Sequence, residues 1–79
     1  MFIVICYAIH NKKIASTATF GTYEDAVDNV KEDTQNTYSE EIENSGNASD
    51  EIDIEIDEDT AKVTDYSADC CWTWEIIEI

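Results

Sequence analysis

The chain has 79 residues, no proline, two glycines and 43% apolar side chains, enough for one small core, which excludes a two-domain protein or a large enzyme. Nineteen acids against four lysines, with no arginine, leave a net charge of −15, which opposes direct contact with nucleic acid or anionic membranes. Two Trp, four Tyr and two Phe nonetheless supply enough apolar surface to order the chain, so residues 1–79 are expected to form a single acidic α+β domain.

Residues 1–23 contain no acid and two lysines, residues 24–59 contain fifteen acids and Lys31, and residues 60–79 contain four acids and Lys62. The acids are therefore concentrated in the middle of the chain. Phe2–Ile9 offers apolar side chains to both faces, as in a central strand covered on one side and at least partly shielded on the other. His10–Lys13 is a polar turn, and the alternation from Ile14 to Phe20 predicts a second strand closing a hairpin. Gly21 breaks that strand. Thr22, with Asp25 three residues on, approximates a capping box, and Glu24 and Asp25 suit the positive end of a helix dipole.

Tyr23, Ala26, Val27, Val30, Thr34, Tyr38 and Ile42 form one stripe over roughly five helical turns, with Asp25, Asp28, Glu32, Asn36, Glu40 and Glu43 opposite. Asn44–Ser49 reads as a loop. Ile52, Ile54 and Ile56 alternate with Asp53, Glu55 and Asp57, a period of two that only a strand accommodates. Glu58-Asp59 turns the chain into a fourth strand over Ala61–Tyr66, and a fifth follows over Cys70–Ile79. Trp72, Trp74 and Ile76 share one face of that last strand and are expected to pack beneath the helix. The order ββαβββ predicts an antiparallel sheet with one helix packed on one face.

The three cysteines make neither a Cys-x-x-Cys pair nor a disulfide scaffold, so free thiols and a reducing, cytoplasmic compartment are expected. No basic residue precedes the apolar run at the N-terminus, and no convincing cleavage site follows it. No segment approaches the roughly 20 apolar residues of a membrane span. Asn47-Ala48-Ser49 matches a glycosylation acceptor, but in such a compartment it is a polar loop.

Little in the chain points to catalysis. His10, the one histidine, sits in a polar turn with no adjoining Ser or Cys motif. An EF-hand register beginning at Asp53 would put Glu58 where glycine is needed and Thr64 where a bidentate Glu is needed. Cys70 and Cys71, adjacent on a strand, face opposite ways and are ill placed to share a zinc ion. No catalytic, cofactor or metal site is expected, and the chain reads as a non-enzyme.

The acids themselves remain. A charge run is ordinarily a solvated face, but −15 on 79 residues exceeds what solubility needs and destabilises the fold by self-repulsion. Eleven isoleucines and five asparagines look like an A/T-rich coding bias rather than adaptation to high salt. Carboxylates alternating on a strand stand about 6.6 Å apart, and those on successive helical turns about 5–6 Å apart. Both spacings are similar to that of phosphates along a nucleic-acid strand.

In size, charge and strand-helix-strand layout, and in the segments Thr22-Tyr-Glu-Asp-Ala-Val27 and Trp72-Thr-Trp-Glu-Ile-Ile77, the chain resembles small acidic phage-encoded inhibitors of host defence. These include anti-CRISPR proteins and uracil-DNA glycosylase inhibitors. The resemblance implies a nucleic-acid mimic that occupies the basic groove of a nucleic-acid-binding protein. The expected partner-binding row is Asp50, Glu51, Asp53, Glu55, Asp57, Glu58 and Asp59, with Asp25, Asp28, Glu32, Glu40 and Glu43 as second choice. With one helix over the sheet the two rows should lie on opposite sides of the domain. The rival readings are an acidic assembly partner of a basic protein and a sponge for a nucleotide signalling molecule; the absence of arginine counts against the second.

Overall fold

A computed structural model describes residues 1–45 and 51–79. Five strands, β1 (Phe2–Ala8), β2 (Lys13–Phe20), β3 (Ile52–Ile56), β4 (Thr60–Asp65) and β5 (Cys70–Glu78), and one helix, α1 (Tyr23–Ser45), follow in the order β1-β2-α1-β3-β4-β5. The strands form one antiparallel sheet in the spatial order β2-β1-β5-β4-β3. The fold is therefore α+β, with one helix against a five-stranded sheet, as the hydrophobic periodicities predict. The helix runs on through Asn44 and Ser45, two residues read as loop from their composition. Asp50 and the Asn47-Ala48-Ser49 acceptor lie outside the described residues.

Thr22 caps the helix as its sequence implies, its Oγ1 accepting from the Asp25 backbone N–H at 3.2 Å. Ala26, Val30 and Thr34 are fully covered, and with Val4, Cys6, Ile52, Ala61, Val63, Trp74 and Ile76 they fill the space between helix and sheet. Thr34, the polar member of this stripe, donates its hydroxyl to the Val30 carbonyl at 2.6 Å, so its own donor is satisfied within the core. The Trp74 indole is 1% exposed and donates Nε1–H to Asp33 Oδ2 at 2.8 Å. Trp72 packs against the same core, so the tryptophan pair underlies the helix and is not an exposed platform.

Two features of the sheet bear on exposure. The first concerns β1, whose Val4, Cys6 and Ala8 are buried under the helix while Ile3, Ile5 and Tyr7 alternate onto the other face. Among the described residues no element packs over that face, where Ile3 pairs with Ile77 and Tyr7 with Ile14. The shielding expected on this side is thus only what neighbouring side chains provide, and Tyr7, Ile14 and Ile77 remain exposed. The second concerns β3, which is an edge strand: Ile52 is buried, Ile54 half-buried and Ile56 37% exposed. Inward alternation sets direction, but cover decreases toward the sheet edge and the strand end.

Candidate functional site: an acidic edge and end

All the described members of both predicted acidic rows, eleven carboxylates in total, are exposed. Asp53 and Glu55 project from the face of β3 opposite the buried Ile52. Their charge is partly met within the fold. Tyr66 donates its hydroxyl to Asp53 Oδ2 at 3.3 Å, and Lys62 stands directly across from Glu55 in the β3–β4 register. Glu51 is held at the start of the strand by its carbonyl, which accepts from the Tyr66 N–H at 3.1 Å.

Asp57, Glu58 and Asp59 continue the row around the β3–β4 turn. The Asp57 N–H donates to the Thr60 carbonyl at 2.8 Å, and the Asp59 carbonyl accepts from the Ile76 N–H at 2.9 Å. Hydrogen bonds thus fasten the turn on both sides, and its three carboxylates project from a fixed backbone.

The helical row does not lie wholly on the far side of the domain from the strand row. At the start of α1 the Tyr23 hydroxyl donates to the Glu58 carbonyl at 3.3 Å, which joins the helix start to the acidic turn. Burial first, then the charges of Asp59 and Glu58, push the Tyr23 phenol above its ordinary range. Asp57–Asp59 therefore share one end of the molecule with the first turns of α1, which carry Asp25 and Asp28. Asp53 and Glu55 stay on the outer sheet face. Glu40 and Glu43 are further off, since fifteen residues of helix from Asp25 to Glu40 span about 22 Å. The reason is the length of β3: five residues bring the chain back along the helix and place its turn at the helix start.

A second concentration of reactive groups lies at the opposite end of the sheet. A cavity of about 320 Å³ is lined by residues that include His10, Asp65, Asp69, Cys70 and Cys71. Asp65 is fully covered, and its Oδ1 accepts from the Ser67 N–H at 3.1 Å, the Ser67 hydroxyl at 2.9 Å and the Ala68 N–H at 3.2 Å. This carboxylate organises the turn that ends in Asp69, whose φ is 56°.

Glu41 reaches the same carboxylate from the helix. Burial, the hydrogen bond to Asp65 and the Asp65 charge raise Glu41 above the usual range, with His10 opposing the rise. Burial alone would raise Asp65 too, but hydrogen bonds from Glu41, Ser67 and Ala68 outweigh it and the group is lowered. The two carboxyls are thus pushed in opposite directions, Glu41 up and Asp65 down. Sequence reasoning missed this pair, whose members are 24 positions apart.

Two of the thiols, Cys70 and Cys6, are held back from reactivity. Burial first, then the charges of Glu41, Asp65 and Asp69, raise Cys70, and burial followed by Asp33 pushes Cys6 up to about 11. A thiol raised in this way is a poor nucleophile near neutrality. His10 Nδ1 accepts from the Cys71 N–H at 3.1 Å, and its ring meets Trp72 edge-on at 4.9 Å. Here it fastens the first hairpin to β5. Among the described residues no three His, Cys, Asp or Glu side chains gather as a metal site, and no helix is long and apolar enough to cross a membrane.

No protein-family model, curated protein or solved structure matches this chain. A functional reading therefore has to come from the chemistry of the molecule. Two different jobs can be assigned to its acids: Asp33, Glu41 and Asp65 hold elements together, while the rows on the strand, turn and helix meet solvent.

Proposed function

We propose that this protein is a non-enzymatic acidic inhibitor. It acts as a nucleic-acid mimic that occupies a basic DNA- or RNA-binding surface of a host-defence or DNA-processing protein in the cytoplasm and keeps nucleic acid out. One observation supports this reading above the others. Asp57, Glu58 and Asp59 are exposed on a turn whose backbone is hydrogen-bonded on both sides, and Asp53 and Glu55 extend the row along β3. Charges fixed in this way are organised before contact, so less ordering entropy is lost on binding than with a flexible acidic tail. An acidic partner in an assembly would show the same charge. The spacing and fixed geometry of the row favour the mimic, because they are similar to the spacing of successive phosphates.

The test is capture of partners from a host lysate at two salt concentrations, followed by addition of DNA. The inhibitor reading expects a nucleic-acid-binding protein that DNA displaces. A partner that binds no nucleic acid, or that DNA leaves in place, supports the assembly reading instead. With the partner in hand, Asp53→Asn, Glu55→Gln and Asp57→Asn together should slow association more than they change stability, since charge complementarity acts chiefly on encounter. The control is Asp28→Asn with Glu32→Gln. A larger loss in the control would make the helix the mimic, and no loss in either would reduce both rows to a solvated surface.

A further inference from the structure

An open groove of about 650 Å³ lies between the first half of α1 and the end of β3, lined by Tyr23, Val27 and Lys31 on one side and Ile56, Asp57 and Glu58 on the other. The three helix residues recur every fourth position and share one face. Val27 is half-buried, Tyr23 is 40% exposed and Ile56 is 37% exposed, so the floor is an apolar strip left partly uncovered. The Tyr23 ring is fixed twice, by an edge-on contact with Phe2 at 5.6 Å and by its hydroxyl bond to the Glu58 carbonyl at 3.3 Å. The acidic residues Asp57 and Glu58 line one lip, and the basic residue Lys31 lines the opposing wall.

The groove thus combines an apolar floor, an aromatic ring and a negative lip, and each part restricts the occupant. Bare metal cations need a full shell of oxygen ligands, which this floor does not supply. Phosphates and other acids are repelled by the lip. A purely apolar ligand would desolvate Asp57 and Glu58 without compensation. A cationic side chain with an aliphatic stem satisfies all three features. Between the two natural choices, arginine is the better match, because its flat and weakly hydrated guanidinium stacks on aromatic rings and pairs bidentately with a carboxylate.

We propose that this groove is an arginine receptor: a partner's arginine lays its methylenes on Val27 and Ile56 and meets Asp57 and Glu58 beside the Tyr23 ring. The proposal rests on the acidic-inhibitor reading for the source of that arginine and on the groove alone for its chemistry. It gives the acidic end a shaped anchor, which bare rows of charge lack. Lys31 competes from within the chain, so the groove is weakened by its own cation.

The experiment follows amide shifts of ¹⁵N-labelled protein during titration with N-acetyl-arginine amide, N-acetyl-lysine amide and guanidinium chloride at constant ionic strength. The arginine derivative should give saturable shifts centred on Tyr23, Val27 and Ile56–Glu58, and should bind about twofold to fivefold more tightly than the lysine derivative. Guanidinium, which has no stem, should bind more weakly than either. Lys31→Gln should tighten arginine binding, and Val27→Thr, which keeps the side-chain shape but adds a hydroxyl to the floor, should weaken it. Shifts spread evenly over all the exposed acids, or equal for the three probes, would overturn the proposal, as would a Lys31→Gln variant that binds arginine no better. No partner protein is used, so the two readings fail separately. Saturable groove binding without a DNA-displaced partner keeps the receptor and rejects the inhibitor; a DNA-displaced partner with an unresponsive groove does the reverse.

Discussion

In a chain of net charge −15, removing an acid should generally stabilise the fold, and Asp33 is expected to break that rule. Its Oδ2 accepts the Trp74 indole N–H at 2.8 Å, and Trp74 is 1% exposed, so water replaces the carboxylate poorly. A hydrogen bond to a charged group contributes about 1.5–3 kcal/mol, and truncation leaves a buried donor unpaired. The opposing gain is small: a like charge 10 Å away in water repels by about 0.4 kcal/mol before salt screens it. Asp33→Ala should therefore lose about 2 kcal/mol, a large part of a fold worth about 4–12 kcal/mol, and its Tm should drop by about 10 °C. Asp33→Asn keeps an acceptor and should lose less than half of that. Glu32→Ala, one position along and exposed, should be neutral or stabilising. Urea unfolding followed by tryptophan fluorescence and far-UV circular dichroism measures all three. An Asp33→Ala variant as stable as Glu32→Ala would refute the reasoning, because the indole bond would then contribute nothing that water does not.

Three other outcomes are expected. Along β3 the cost of Ile→Ala should fall with cover, to about 3–5 kcal/mol at Ile52, about 2 at Ile54 and about 1 at Ile56; chemical denaturation showing equal losses would contradict the edge position of the strand. Raising salt from a low level to about 0.5 M should raise Tm, since screening relieves repulsion among the exposed acids, and a flat or falling Tm would mean that they do not repel appreciably. The Glu41–Asp65 pair sets a pH window. Glu41 is raised in the fold, so the stability it contributes is present below its ordinary value and lost as pH rises through the raised one. Asp65 is lowered, so its contribution is present above its ordinary value and lost as pH falls through the lowered one. Glu41→Gln should remove the loss on the rising-pH side and leave the loss on the falling-pH side, and thermal melts of both proteins from pH 2 to 9 would show the rising-pH loss persisting in the variant if another group causes it.

Which residues alternate, which recur every three or four positions and where the chain turns are legible in the residues alone. Those are local properties, set by the periods of strand and helix, so the ββαβββ order, the inward stripe of α1 and the outward acids of both rows could be read from it. Composition missed the last two residues of the helix, because Asn44 and Ser45 resemble loop residues and continue α1 all the same. What depends on residues distant in sequence emerges from the packing of helix and sheet. The strand order puts β3 at an edge and leaves Ile54 and Ile56 less covered than their alternation implies. The return of β3 along α1 brings Asp57–Asp59 to Tyr23 and creates the groove. Three acids are turned inward: Asp33 to the Trp74 indole, and Glu41 and Asp65 to each other. Charge is written in the sequence residue by residue, but whether a carboxylate repels its neighbours or holds them depends on which donor the fold places beside it.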